Sequence, residues 1–284
     1  MIGRAVGIAA LTIAILGAVA AANSLRFARG VGREARGLWA AVPPPAPIVI
    51  DPRRIEALPA PVRRYLTKAL GARDHGVSAV RLRHGGTFRP KLDGGWLPIQ
   101  GEQYFATDPP GFVWWGRVCL APGLWIDARD RSQHGEGRMR VALESTVTVA
   151  DSSGPQLDQG ALLRLLGEMT WFPSAFLDER YLRWSAIDER RALATLHVNG
   201  REVAGTFEFG EDGLPARFSA DRYRDIGGGK SVLTPFSGES SDYRDVDGWL
   251  VPHQVVGIWH VDGRAIPYVR FQVQRLEYDA ATPF

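Results

Sequence analysis

One stretch restricts the fold more than any other. Leu157 to Trp184 (LDQGALLRLLGEMTWFPSAFLDERYLRW) is helical in pattern inside a chain that otherwise reads as strands and turns. Leu157, Ala161, Leu162, Leu165, Leu166 and Met169 recur at i, i+4, i+5, i+8, i+9 and i+12, one face of a 3.6-residue helix. Asp158 can cap its start, and Arg164 and Glu168, four apart and off the stripe, can pair. Pro173 has no N–H and disfavours helix at Phe172, so the run breaks there. Ser174 to Tyr181 is expected to make a second short helix, leaving Trp171-Phe172-Pro173 as a rigid apolar corner. Such a unit in a β-rich chain must lay its apolar face on a sheet.

The rest supports that sheet. Arg138 to Val149 alternates, with Met139, Val141, Leu143, Ser145, Val147 and Val149 on one side, and is expected to be one strand with a buried face. Phe112 to Leu120 is apolar on both faces, so it is expected to be central or to wall a cavity. Asn199-Gly200 signals a type I′ hairpin that pairs Leu196 with Val203, Ala194 with Gly205 and Ala192 with Phe207. Asp262-Gly263 likewise pairs Ile258 with Pro267 and Val256 with Val269, and Pro267 implies an edge or a bulge. Asp51, followed by Pro52, caps a short helix, and Val62 to Leu70 continues as helix. The fold expected is mostly β (α+β), a curved antiparallel sheet or half-barrel with a central helical plug and an N-terminal membrane helix.

Ala5 to Ala22 carries no charge over eighteen residues, near the lower limit of a membrane-spanning helix. A cleavable signal peptide is the rival reading, with small-residue sites around Ala18 to Ala22. Arg26, Arg29, Arg33 and Arg36 follow the span directly and favour a cytoplasmic flank, whereas Arg4 and the α-amine oppose it. The expectation is therefore an uncleaved single-pass anchor in the cell membrane, leaning to the cytoplasmic face, with the extracytoplasmic side as alternative. Residues 1–25 are assigned to the anchor, 26–50 to a basic segment with a stiff proline spacer at 43–47, and 51–284 to one β-rich domain. Residues 1–41 hold a net +4 against +3 for the whole chain, leaving −1 for the rest, so the body does not read as nucleic-acid binding. A single cysteine, Cys119, excludes an intrachain disulfide.

Several short motifs occur as a set: Pro61 to Leu66 (PVRRYL), Pro110 to Trp114 (PGFVW), Gly135-x-Gly137-x-Met139, Leu157 to Gly160 with Leu165 to Glu168, Trp171 to Ala175 (WFPSA), Thr234-Pro235-Phe236 and Asp242-Tyr243-Arg244. Together they resemble an uncharacterised bacterial family, often with an N-terminal membrane segment, over about Leu58 to Tyr278. That resemblance lends no catalytic residue. The meander with helices inserted midway also resembles, at fold level only, the half-barrel of bacterial lipoprotein carriers, in which a curved sheet plugged by helices binds acyl chains.

No HExxH, GxSxG or complete phosphate loop is present, and Gly227-Gly228-Gly229-Lys230-Ser231 reads as a loop. The six histidines are scattered, so neither a metal nor a cofactor is expected. Glu168 lies one turn before Trp171-Phe172, where burial would raise a carboxyl pKa, and it is expected to pair with Arg164 or Arg222. Trp115, Glu168, Met169, Trp171, Phe172, Arg222, Tyr223, Trp259 and Tyr268 form the expected ligand-binding set. The function expected is a membrane-tethered module holding an apolar, lipid-like ligand between sheet and plug. The alternatives are an enzyme using Glu168 with an arginine or tyrosine, and a scaffold for a protein partner.

Overall fold

The computed structural model describes residues 2–40 and 48–284; the proline spacer read at 43–47 lies outside them. Three helices come first: α1 (Ile2–Ala40), α2 (Pro52–Glu56) and α3 (Ala60–Leu70). Six strands follow: β1 (Ala79–Phe88), β2 (Leu97–Thr107), β3 (Pro110–Ala121), β4 (Leu124–Gln133), β5 (Glu136–Leu143) and β6 (Val147–Ser153). The insert then runs through α4 (Pro155–Glu168) and two 3-10 turns, Met169–Trp171 and Pro173–Leu177. Seven more strands complete the chain: β7 (Leu182–Ala186), β8 (Arg191–Val198), β9 (Arg201–Phe209), β10 (Pro215–Gly227), β11 (Lys230–Val246), β12 (Trp249–Val261) and β13 (Arg264–Tyr278).

All thirteen strands form one antiparallel sheet in the order β6-β5-β4-β3-β2-β1-β13-β12-β11-β10-β9-β8-β7. The insert therefore connects the two edge strands. Laid flat, such a sheet would be on the order of 58 Å wide, while α4 is only about 21 Å long. Yet α4 touches β4, β5 and β6 at one wing and β8, β9 and β10 at the other. The sheet must therefore curve around it, and the wings meet directly. The Asn199 side chain donates to the His134 carbonyl at 3.2 Å, and Arg201 pairs with Glu136 at 3.5 Å.

The helical stripe explains the position of α4. Ala161, Leu162, Leu165, Leu166 and Met169 are buried on the concave face, joined by Leu163. Each buried leucine contributes roughly 1.5–3 kcal/mol. Asp158 differs from expectation: Gly154 precedes the helix, and the Asp158 carboxylate instead accepts from the Gly137 N–H at 2.7 Å and meets Arg201 at 3.2 Å. That contact explains Gly137, where a Cβ would lie 2.7 Å from the Leu157 carbonyl. Gln159 fastens the other wing. Beyond Ser219 the edge of β10 is not paired with β9, and the Gln159 amide donates to the Asp221 carbonyl and accepts from the Tyr223 N–H. The corner at Phe172 is present, but the chain beyond it makes a single 3-10 turn rather than the expected helix over Ser174 to Tyr181.

The Asn199-Gly200 hairpin has the expected register throughout. Asp51 caps α2 by accepting from the Arg53 N–H at 2.9 Å. The second hairpin keeps Ile258 opposite Pro267, but a bulge moves Val269 opposite Gly257 and Val256 opposite Arg270. The expected single strand over Arg138 to Val149 is a hairpin instead. Glu144 and Ser145 take left-handed conformations (φ 49° and 57°) and turn the chain between β5 and β6.

The N-terminal helix departs further from expectation. Among the described residues no helix is long and apolar enough to cross a membrane, so a single-pass anchor is not supported. The second half of α1 packs on the convex face of β2 and β3: Val31, Ala35 and Leu38 are buried with Tyr104, Ala106 and Val113. Trp39 donates to the Phe105 carbonyl at 2.8 Å, and Glu34 meets Arg129 at 3.4 Å. The arginine-rich flank therefore belongs to a docked amphipathic helix. This also explains why β3 is apolar on both faces: one lies under α1 and the other faces the core.

Burying Leu38 contributes about 2 kcal/mol to this docking. Ala35→Asp combined with Leu38→Asp is expected to expose Arg26 to Arg36 to trypsin while the strand circular dichroism stays unchanged. Equal cleavage of variant and parent would contradict the docking.

Candidate functional site

Beside α4, toward the hairpin ends of β10 to β13 and β1, the concave face carries a continuous run of aromatic rings. Phe236 and Trp259, opposite each other on β11 and β12, stand 5.2 Å apart. Tyr268 lies 5.7 Å from Trp259, and Phe88 lies 6.1 Å from Tyr268. Trp259 is almost buried, whereas Phe236, Tyr268, Phe88 and neighbouring Leu97 and Leu120 are partly exposed. A Cβ at Gly257 would sit 2.9 Å from the Tyr268 ring, so the bare glycine there lets the ring lie against the sheet.

A buried polar cluster borders this shelf under α4. Arg164 donates from Nε to Glu168 at 2.9 Å and from another guanidinium nitrogen to Asp130 at 2.9 Å. Its guanidinium also lies over the rings of Trp114 and Phe112, at 4.7 and 5.0 Å. Gln103 is fully buried; its amide donates to the second Glu168 oxygen at 2.6 Å and its carbonyl accepts from Arg164 at 3.3 Å. Trp114 donates to His84 Nε2 at 2.8 Å, so the other ring nitrogen carries the proton in the neutral imidazole. Space for these two rings comes from glycines: a Cβ at Gly101 would lie 2.4 Å from His84, and one at Gly116 would lie 2.3 Å from Trp114.

The electrostatics reflect one cation serving two carboxylates. Burial raises the Glu168 pKa above the usual glutamate range despite Arg164 and Gln103, and Asp130 pushes the same way. Burial, with Arg164 nearby, pushes His84 down to about 3, so the imidazole is neutral. With both of its carboxylate oxygens bonded, Glu168 is an anchor of the helix on the sheet rather than a group pointing at solvent.

The structure separates the expected set into three groups. Trp259, Tyr268 and Arg222 meet at the shelf, the Arg222 guanidinium lying 5.3 Å from the Phe236 ring and 5.8 Å from Trp259. Glu168 borders them, but its partner is Arg164; among the described residues no ion pair joins it to Arg222. Met169, Trp171 and Phe172 are core: Phe172 lies 4.8 Å from Phe105, and Trp171 donates to the Pro252 carbonyl at 3.0 Å. The space against Met169 and Phe172 is a void of about 10 Å³, too small for a ligand chamber beneath the corner. Trp115 stands on the convex face, 6.4 Å from Phe27 of α1 and donating to buried Asp127. Tyr223 alternates away from Arg222 and so also leaves the concave face. Sequence reasoning missed Asp130, Gln103, His84 and Trp114, which come from four different strands and carry no local signal.

Sheet, plug and shelf together define the class: a β-rich protein with one strongly curved antiparallel sheet wrapped on a helical insert. The chain belongs to the family of unknown function DUF6544, whose model matches residues 48–271. No curated protein matches it. Among solved structures, the chain is similar to a LolA superfamily protein from Nitrosomonas europaea (8% identity, 79% of this chain and 95% of that one, TM-score 0.40). It is also similar to a domain assigned as an outer membrane lipoprotein-sorting protein from Vibrio parahaemolyticus (7% identity, 72% and 86% covered, TM-score 0.38). A third is a β-barrel-like protein of a domain of unknown function from Brucella abortus (10% identity, 72% and 99% covered, TM-score 0.24). Similarity this distant says nothing about what the chain binds.

The raised Glu168 pKa has a defined sign. Below the ordinary glutamate range both native and unfolded states hold the proton and its stabilisation is fully present. As pH rises from that range through the native pKa, the unfolded chain releases the proton first and stability falls. Urea unfolding from pH 4 to 8 is therefore expected to show a decline in the parent relative to Glu168→Gln, which cannot titrate. Parallel profiles for the two would contradict the assignment.

Proposed function

We propose that this protein binds an apolar, lipid-like ligand on the concave aromatic shelf beside α4. One observation carries the reading: Phe236, Trp259, Tyr268 and Phe88 form a contiguous ring surface that α4 leaves partly uncovered. Contiguous exposed apolar surface on a folded domain marks an interaction site far more often than scattered single residues do. Rings held edge to face against a sheet give flat, rigid contacts suited to a hydrocarbon chain. The polar cluster under α4 holds one side of the shelf in place and is not itself the contact surface.

The Arg164–Glu168–Asp130 cluster gives the reading its geometry. It fixes the helix on the strands that bear Gln103, Trp114 and Asp130, so the width of the shelf does not depend on loops. A ligand is accommodated without opening the core around Trp171 and Phe172.

The full chain is expected to take up cis-parinaric acid with a rise in fluorescence, and Trp259→Ala is expected to weaken that uptake about tenfold, on the scale of losing one large buried contact. No uptake by the folded parent, or equal uptake by the variant, would contradict the reading.

A further inference from the structure

The shelf has a charged end with no partner. We infer that its ligand is a single-chain amphiphile with an anionic head, and that Arg222 and Arg224 hold the head; this rests on the lipid-binding reading of the shelf. The register of β10 with β11 is unbroken from Arg217 to Asp225, so Phe218, Ala220, Arg222 and Arg224 alternate onto one face. Phe218 and Ala220 pack into the core. The two arginines carry the same face outward onto the shelf.

One donor of each guanidinium is unsatisfied. The Nε atoms of Arg222 and Arg224 are buried and have no hydrogen-bond partner. Among the described residues neither arginine takes part in an ion pair, while Arg164 alone engages both Glu168 and Asp130. Nearby polar groups are already occupied. Thr234, opposite Arg222, donates to the Val232 carbonyl at 3.0 Å, and the Gln159 amide is taken up by the β10 backbone.

A guanidinium lying over aromatic faces is partly desolvated and keeps its planar fork free. A carboxylate or phosphate there accepts two parallel, charge-assisted bonds in a medium of reduced dielectric. A neutral head leaves those donors unmatched, and a cationic head is repelled. The aromatic run toward Trp259, Tyr268 and Phe88 then receives the chain attached to that head. Head and tail sites are contiguous, so the two parts of one molecule are read together.

The test uses the full chain, with displacement of the neutral fluorophore N-phenyl-1-naphthylamine by probes sharing one hexadecyl tail below their micelle concentrations. Hexadecanoate and hexadecyl phosphate are expected to bind about tenfold or more tightly than hexadecanol, and hexadecyltrimethylammonium more weakly than all three. Arg222→Gln with Arg224→Gln is expected to bring the anionic probes within about twofold of hexadecanol, the two affinities being compared on the same folded variant. Inorganic phosphate at the same concentration is expected not to displace the fluorophore. Equal binding of all heads, a preference that survives the double substitution, or displacement by phosphate alone overturns the head-group assignment and leaves the shelf reading intact. Failure of every tailed probe to bind overturns both.

Discussion

The packing of one short helix against two distant wings of a single sheet is the interaction on which the rest of the structure depends. The topology leaves β6 and β7 as the edges, and the chain crosses between them through α4. A helix buried on nearly every side needs apolar surface all round it, and only a curved sheet supplies that. The curvature brings the β4–β5 turn against the β8–β9 turn. It also leaves part of the concave face uncovered beside the helix. Core, cluster and shelf are thus consequences of one closure.

Charge is handled differently on the two faces. On the convex side, buried Asp127 accepts from Arg117, Trp115, Trp125 and Ser145, so its charge is matched. Under α4, one guanidinium faces two carboxylates, with Asp130 keeping an unbonded oxygen and His84 an unbonded ring nitrogen. A buried ion network of this kind is weak evidence for stability, because desolvation offsets much of the attraction. Its geometric effect is clearer: it fixes α4 at one angle and register on the strands.

Much of the fold was legible where the chemistry is local. Asn199-Gly200 determined a register because its backbone suits only one turn, and Asp51-Pro52 determined a helix start. The leucine stripe identified the plug, and the two-faced β3 segment, read as central or as walling a cavity, lies inside the sheet with α1 on its convex side. What was illegible is non-local. Glu144-Ser145 carries no strong turn signal, yet both residues adopt left-handed φ, so an alternating run hid a hairpin. The bulge at Gly257 slipped a register that counting alone could not place. The apolar N-terminal run overshadowed the Val31, Ala35, Leu38 spacing that docks α1. Of the expected ligand-binding set, Trp259, Tyr268 and Arg222, chosen from residue type and strand parity, are the residues that the structure brings together on one face. The Arg164–Glu168 pair was legible from its i,i+4 spacing, but Asp130 and Gln103, which complete the cluster, were not, because they come from separate strands.

On the proposed reading, the uncovered concave face meets the ligand, and neither the core under Trp171 nor the convex face that carries α1 does. Hydrogen–deuterium exchange of the full chain with and without hexadecanoate tests this directly. Protection confined to β10 through β13 and the end of β1 is the result predicted. Protection of α1 and the β3–β4 turn instead, or of no segment at all, would contradict it.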